Sequence, residues 1–117
     1  MAYSEKITDK IREALVHLKS VEEKYMFGGV CFMVNGKMCV GVIKDEMMCR
    51  IDPKMEDVAF ERVGCRPMDF TKRPMKGYVY VSEEGMKTKQ SFNYWINLCL
   101  EFNTIAKASK KKPKKLN

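Results

Sequence analysis

A single histidine, His17, serves 117 residues, and no two of the five cysteines form a C-x-x-C pair. So little histidine removes most general-base and metal-ligand chemistry. Cys31, Cys39, Cys49, Cys65 and Cys99 are too scattered for a zinc knuckle, and their odd number argues against a disulfide framework. No apolar run approaches the roughly 20 residues that span a bilayer, so no membrane segment is expected. The opening MAYSEKITDK carries acids and no apolar core, so no signal peptide is expected and the location reads as cytoplasmic. No carboxylate pair has glycosidase or metal spacing. No catalytic, cofactor-binding or metal-ligating residue is therefore assigned, and the chain does not read as an enzyme.

What is present fits one folded unit. The length matches a single domain, and 45% hydrophobic with 32% charged residues is ordinary for a globular chain. The formal net charge is +7, but six lysines fall in the last eleven residues, KASKKKPKKLN, which leaves +1 on residues 1–106. The expected division is therefore a domain over 1–107 and a Lys-rich, disordered tail over 108–117. Ten methionines read as core filler or as an adaptable apolar surface.

Residues 4–20 have Ile7, Ile11, Ala14, Leu15 and Leu18 at helical spacing, with Ser4 as N-cap. His17 falls off that stripe, as a solvated residue would. Val34-Asn35-Gly36-Lys37 then gives the strongest hairpin signal in the chain, because Asn and Gly both accept the positive φ of a type I′ turn. A second turn near Asp45–Glu46 returns the chain through MMCRI. Asp52-Pro53 starts a short helix with Met55, Val58, Ala59 and Val63 inward, and Gly64 ends it. PMDFT reads as a short edge strand, GYVYVS as a strand with Tyr78 and Tyr80 on one face, and a last helix buries Phe92, Trp95, Ile96, Cys99, Phe102 and Ala106.

Strict alternation sorts the meander onto two faces. Cys31, Met33, Met38, Val40, Val42, Met47, Cys49 and Ile51 share one. Val30, Phe32, Val34, Ile43 and Met48 crowd the other, beside Lys37, Cys39, Gly41 and Arg50. The second set is the candidate interaction surface, and a symmetric homodimer is the expected cover. The competing cover is the C-terminal helix of the same chain.

Other sites are weaker. Gly28-Gly29 is followed by a strand and not by a helix N-terminus, so it fails as a phosphate cradle and reads as tight entry into the first strand or close approach of another element. Arg50 lies near enough in the meander to depress the Cys39 thiol, and Cys39 or Cys65 would serve a thiol sensor, but no base accompanies them. Arg66, Lys72, Arg73 and Lys76, interleaved with Phe70 and Tyr78, form a candidate anion contact. With the tail, this loop (66–77) supports an alternative reading as a nucleic-acid-binding accessory protein.

YMFGGVCFMVNGKMCVGV with MMCRID, then GCRPMDFTKRPMKGYVYVSEE, then YWINLCLEFN, resemble the N-terminal domain of the TfoX/Sxy family over roughly residues 5–107. Met26-Phe27-Gly28-Gly29, the run Arg73 to Gly77, and Trp95 carry the likeness most specifically. The resemblance implies a two-layer α+β fold, α-β(3)-α-β(2)-α with an antiparallel sheet, similar to secretion chaperones and the small YgaC-like proteins. It implies no cofactor and no established reaction. Two-domain members regulate competence genes with a cyclic-AMP receptor protein; these 117 residues hold no counterpart of their second, helical domain, so a stand-alone member is expected. The resulting expectation is a non-enzymatic regulatory or protein-interaction domain.

Overall fold

A computed structural model describes residues 3–26, 28–68 and 76–106. Helix α1 (Glu5–Leu15) begins where Ser4 accepts the Ile7 N–H at 3.2 Å. It ends earlier than the periodicity predicts, because the chain must turn and straighten: the Ser20 carbonyl already accepts the Asn35 N–H. Strands β1 (Val21–Met26), β2 (Gly29–Val34), β3 (Lys37–Ile43) and β4 (Glu46–Arg50) follow. A 3₁₀ turn over Pro53–Met55, capped by the Asp52 carboxylate, leads into α2 (Glu56–Phe60). Strands β5 (Cys65–Pro67) and β6 (Tyr78–Val81), a second 3₁₀ turn (Glu83–Met86) and helix α3 (Lys89–Asn103) complete the described elements.

The six strands form one antiparallel sheet in the order β1-β2-β3-β4-β6-β5. This is the expected α+β class, with one strand more in the meander, since β1 is added at the edge. Asn35 and Gly36 make the predicted tight turn, with φ of 55° and 77°. The next turn falls one residue earlier than expected, on Lys44 and Asp45, so that Ile43 faces Glu46. The edge strand placed at PMDFT lies upstream and stops at Pro67, whose missing N–H suits an edge. The tail boundary at 107/108 lies outside the described residues.

One irregularity decides the sidedness of the sheet. Met33 pairs with Met38 as alternation predicts, but Phe32 pairs with Val40 and not with Cys39. Cys39 is an extra residue, a β-bulge, and a one-residue slip exchanges the faces of everything beyond it. Val30, Phe32 and Val34 therefore join Val40, Val42, Met47, Cys49, Val79 and Val81 in the core under the helices. Ile7, Ile11 and Leu15 of α1, Ala59 of α2, and Phe92, Trp95, Ile96, Leu98 and Cys99 of α3 complete that core. Trp95 is fully buried, with its indole N–H donating to the Gly85 carbonyl at 3.2 Å. Val58 and Val63, expected inward, are exposed (51% and 66%), because α2 lasts only five residues and turns only Ala59 fully onto the core.

Candidate functional site

The bulge divides the predicted interaction surface. Val30, Phe32 and Val34 lie at 1–3% exposure beneath the helices, so the cover over them belongs to the chain itself. Ile43 and Met48 lie on the opposite face, with Cys31, Met38, Met68 and Tyr80 and, at their margin, Met26, Met33 and Tyr78. Met48, Cys31, Met68 and Tyr80 are themselves buried within one chain. The contiguous apolar patch predicted from strict alternation does not exist.

On this second face, arginines lie over tyrosines. The Arg66 guanidinium sits 4.5 Å from the Tyr80 ring centroid, and Arg50 sits 5.7 Å from that of Tyr78 and 5.5 Å from that of Phe102. Such stacks set a planar cation against an aromatic face while leaving its N–H groups able to donate. Arg66 also donates two bonds to the Glu46 carboxylate, at 2.6 and 3.1 Å. Its charge is therefore compensated by a neighbour on β4, which weakens it as an anion contact. Lys76 is exposed, and Lys72 and Arg73 lie outside the described residues. The structure thus brings one member of the predicted basic cluster to the sheet and leaves Lys76 in solvent.

Cys31, Cys39, Cys49 and Cys99 are buried, and Cys65 is half-buried. Cys39 meets Cys99 across the β3–α3 boundary, and that contact, with burial, raises its pKa. Arg50 acts in the predicted direction on Cys39 but is outweighed. Burial pushes Cys31 up to about 12 and Cys65 up to about 11. A thiolate at neutral pH is the reactive species, and these settings disfavour it. His17 is exposed on the turn after α1. Among the described residues, no group of three or more His, Cys, Asp or Glu side chains is placed to hold a metal ion, and no helix is long and apolar enough to cross a membrane. Two concavities of about 330 and 470 Å³ lie along α1, each lined by both lysines and glutamates.

The family motif shapes one end of the sheet. Gly28 has φ +78°, turning β1 back on β2, and a Cβ on Gly29 would come within 1.9 Å of the Val42 carbonyl oxygen. The glycine pair thus allows the close backbone approach inferred for it. Met26 borders the second face, and Phe27 lies outside the described residues.

Sequence reasoning missed two features. Strand β1 is one: Glu22, Glu23, Lys24 and Tyr25 are all exposed, Tyr25 at 72%, and among the described residues β1 pairs with β2 alone. Its signal was the two-residue step Phe27-Gly28 between Tyr25-Met26 and Gly29-Val30, a hairpin spacing like that of Asn35-Gly36. Asn103 is the other. Buried at the end of α3, it donates to the Val34 carbonyl at 3.0 Å and accepts from the Asn35 side-chain amide at 3.2 Å, while its own carbonyl accepts the Lys37 ammonium at 2.8 Å.

The family model described as the TfoX N-terminal domain matches residues 13–103, most of the chain. The chain belongs to that family. No curated protein and no solved structure matches it.

Proposed function

We propose that this TfoX N-terminal domain is a non-enzymatic, cytoplasmic regulatory module that works by docking protein through the open edge of its sheet and that self-associates. The observation that carries the reading is β1: a six-residue edge strand among the described residues, exposed along its middle, whose Tyr25 ring lies beside Tyr3 and is 72% exposed. Exposed edges of this length are templates for strand addition unless covered. The non-enzymatic reading is supported by the raised thiol pKa values and by the exposure of His17 on the turn after α1. Of the residues behind the nucleic-acid alternative, Arg66 is already held by Glu46, which lowers its capacity for phosphate, and Lys72, Arg73 and the Lys-rich tail lie outside the described residues.

A photo-crosslinking residue at Tyr25 tests the reading in the native cell. The expected result is an adduct of discrete mass that disappears in Glu23→Pro, with the same probe at Lys76 giving none. An adduct at Lys76 alone would move the docking site away from β1.

A further inference from the structure

The open edge of β1 has a register that fits a second copy of itself. The Asn35 N–H donates to the Ser20 carbonyl, and the β1–β2 ladder continues without a break from Val21↔Val34 to Met26↔Gly29. Antiparallel pairs alternate between hydrogen-bonded and non-hydrogen-bonded. Glu22, Lys24 and Met26 therefore direct their backbone groups to β2, and Val21, Glu23 and Tyr25 direct theirs outward. We propose that two copies join by antiparallel pairing of β1 about a two-fold axis at Glu23, fusing two sheets into one. The proposal rests on reading β1 as the docking edge and names its occupant.

Symmetry and charge select the register. A two-fold axis normal to the sheet keeps each side chain on its own face, so a residue must meet its own copy or one an even number of positions away. Centred on Glu23, Val21 meets Tyr25 of the second copy, and every outward N–H and C=O of the three residues finds a partner. On the other face, Glu22 meets Lys24 of the second copy, twice by symmetry. Opposite charges facing across strands stabilise pairing, and like charges oppose it. Centring on Lys24 would set lysine against lysine and Glu22 against Met26. The two Glu23 carboxylates that meet at the axis are each held by Arg12, at 2.7 and 2.8 Å, on the helix side. The opposite edge, β5, is unsuited: it has three residues and ends in proline.

Charge exchange tests the register by sedimentation of the full chain. Wild type is expected to dimerise at micromolar concentration. Glu22→Lys and Lys24→Glu lie at exposed positions, and thermal melting checks that each variant is folded. Each should weaken the dimer roughly ten-fold or more, since two attractive pairs become repulsive. Mixing the two variants should restore dimerisation, because in the mixed pair a lysine again faces a glutamate at both symmetry-related contacts. Glu23→Pro, which removes an outward N–H together with the carboxylate held by Arg12, should be monomeric, whereas Glu23→Ala, which loses the ion pair and keeps the N–H, should still dimerise. A wild-type monomer at high micromolar concentration, or a dimer indifferent to both exchanges, overturns the proposal. A Tyr25 adduct with a different protein, from a chain that sediments as a monomer, overturns self-pairing while leaving the docking reading intact; an adduct of twice the chain's 13.6 kDa supports both.

Discussion

Beyond the exposed strand β1, both faces of the sheet bury side chains, but with different materials. The helix side is filled by valines, isoleucines, Phe32, Phe92 and Trp95, packed between strands and three helices. The other side is filled by methionines, tyrosines and a cysteine, with two arginine planes lying over the rings. Branched and aromatic side chains have few rotamers and specify one arrangement, whereas methionine adapts to irregular space. The contrast teaches that stability and sidedness are set on the helix face, and that the second face is the tolerant one.

The largest expected effect comes from placing a charge on the helix face. Phe32→Glu should abolish the cooperative thermal transition, since an unpaired buried carboxylate has no compensating partner there. A folded variant would mean that the helices do not cover Phe32. Next, Trp95→Ala should cost about 3–5 kcal/mol by urea titration, from the cavity and the lost bond to Gly85. Met48→Ala, on the second face, should cost less, about 2 kcal/mol, at the low end for a buried methionine because a pliant cluster can collapse around the gap. Equal losses at Trp95 and Met48 would erase the distinction between the faces.

The smallest effect is a pH dependence. Cys31 has its folded pKa raised by burial to about 12, above the ordinary thiol value of about 8.5. The stabilisation from keeping it protonated is complete below about pH 8.5 and declines as pH rises through about 12. The urea midpoint should therefore fall between pH 7 and pH 10, and fall less in Cys31→Ala. An identical decline in both proteins would exclude this thiol as a contributor.

Much of this was legible in the residues. The Asn35-Gly36 turn has its own backbone chemistry, and the stripes on α1 and α3 have helical period, so those elements follow from local rules. The faces of the meander did not, because Cys39 is chemically unremarkable in a strand: a bulge inserts one residue without demanding a distinctive side chain. Strand β1 was illegible for a related reason. VEEKYM lacks the apolar alternation of a half-buried strand because one edge and much of both faces stay in water. The candidate surface suffered most, since it was built from alternation alone and the slip at Cys39 sent Val30, Phe32 and Val34 to the opposite layer.

The Asn103 clasp has a consequence in time. Its amide joins the tip of the β2–β3 hairpin to the end of α3, across 68 and 69 positions of chain. During synthesis the hairpin is complete long before residue 103 exists, so its tip first meets water and only later a carboxamide. Contacts that close so large a loop form late, and late contacts chiefly retard unfolding and contribute little to the speed of folding. The buried asparagine is thus expected to act as a latch: Asn103→Ala should speed unfolding in a denaturant jump more than it slows refolding.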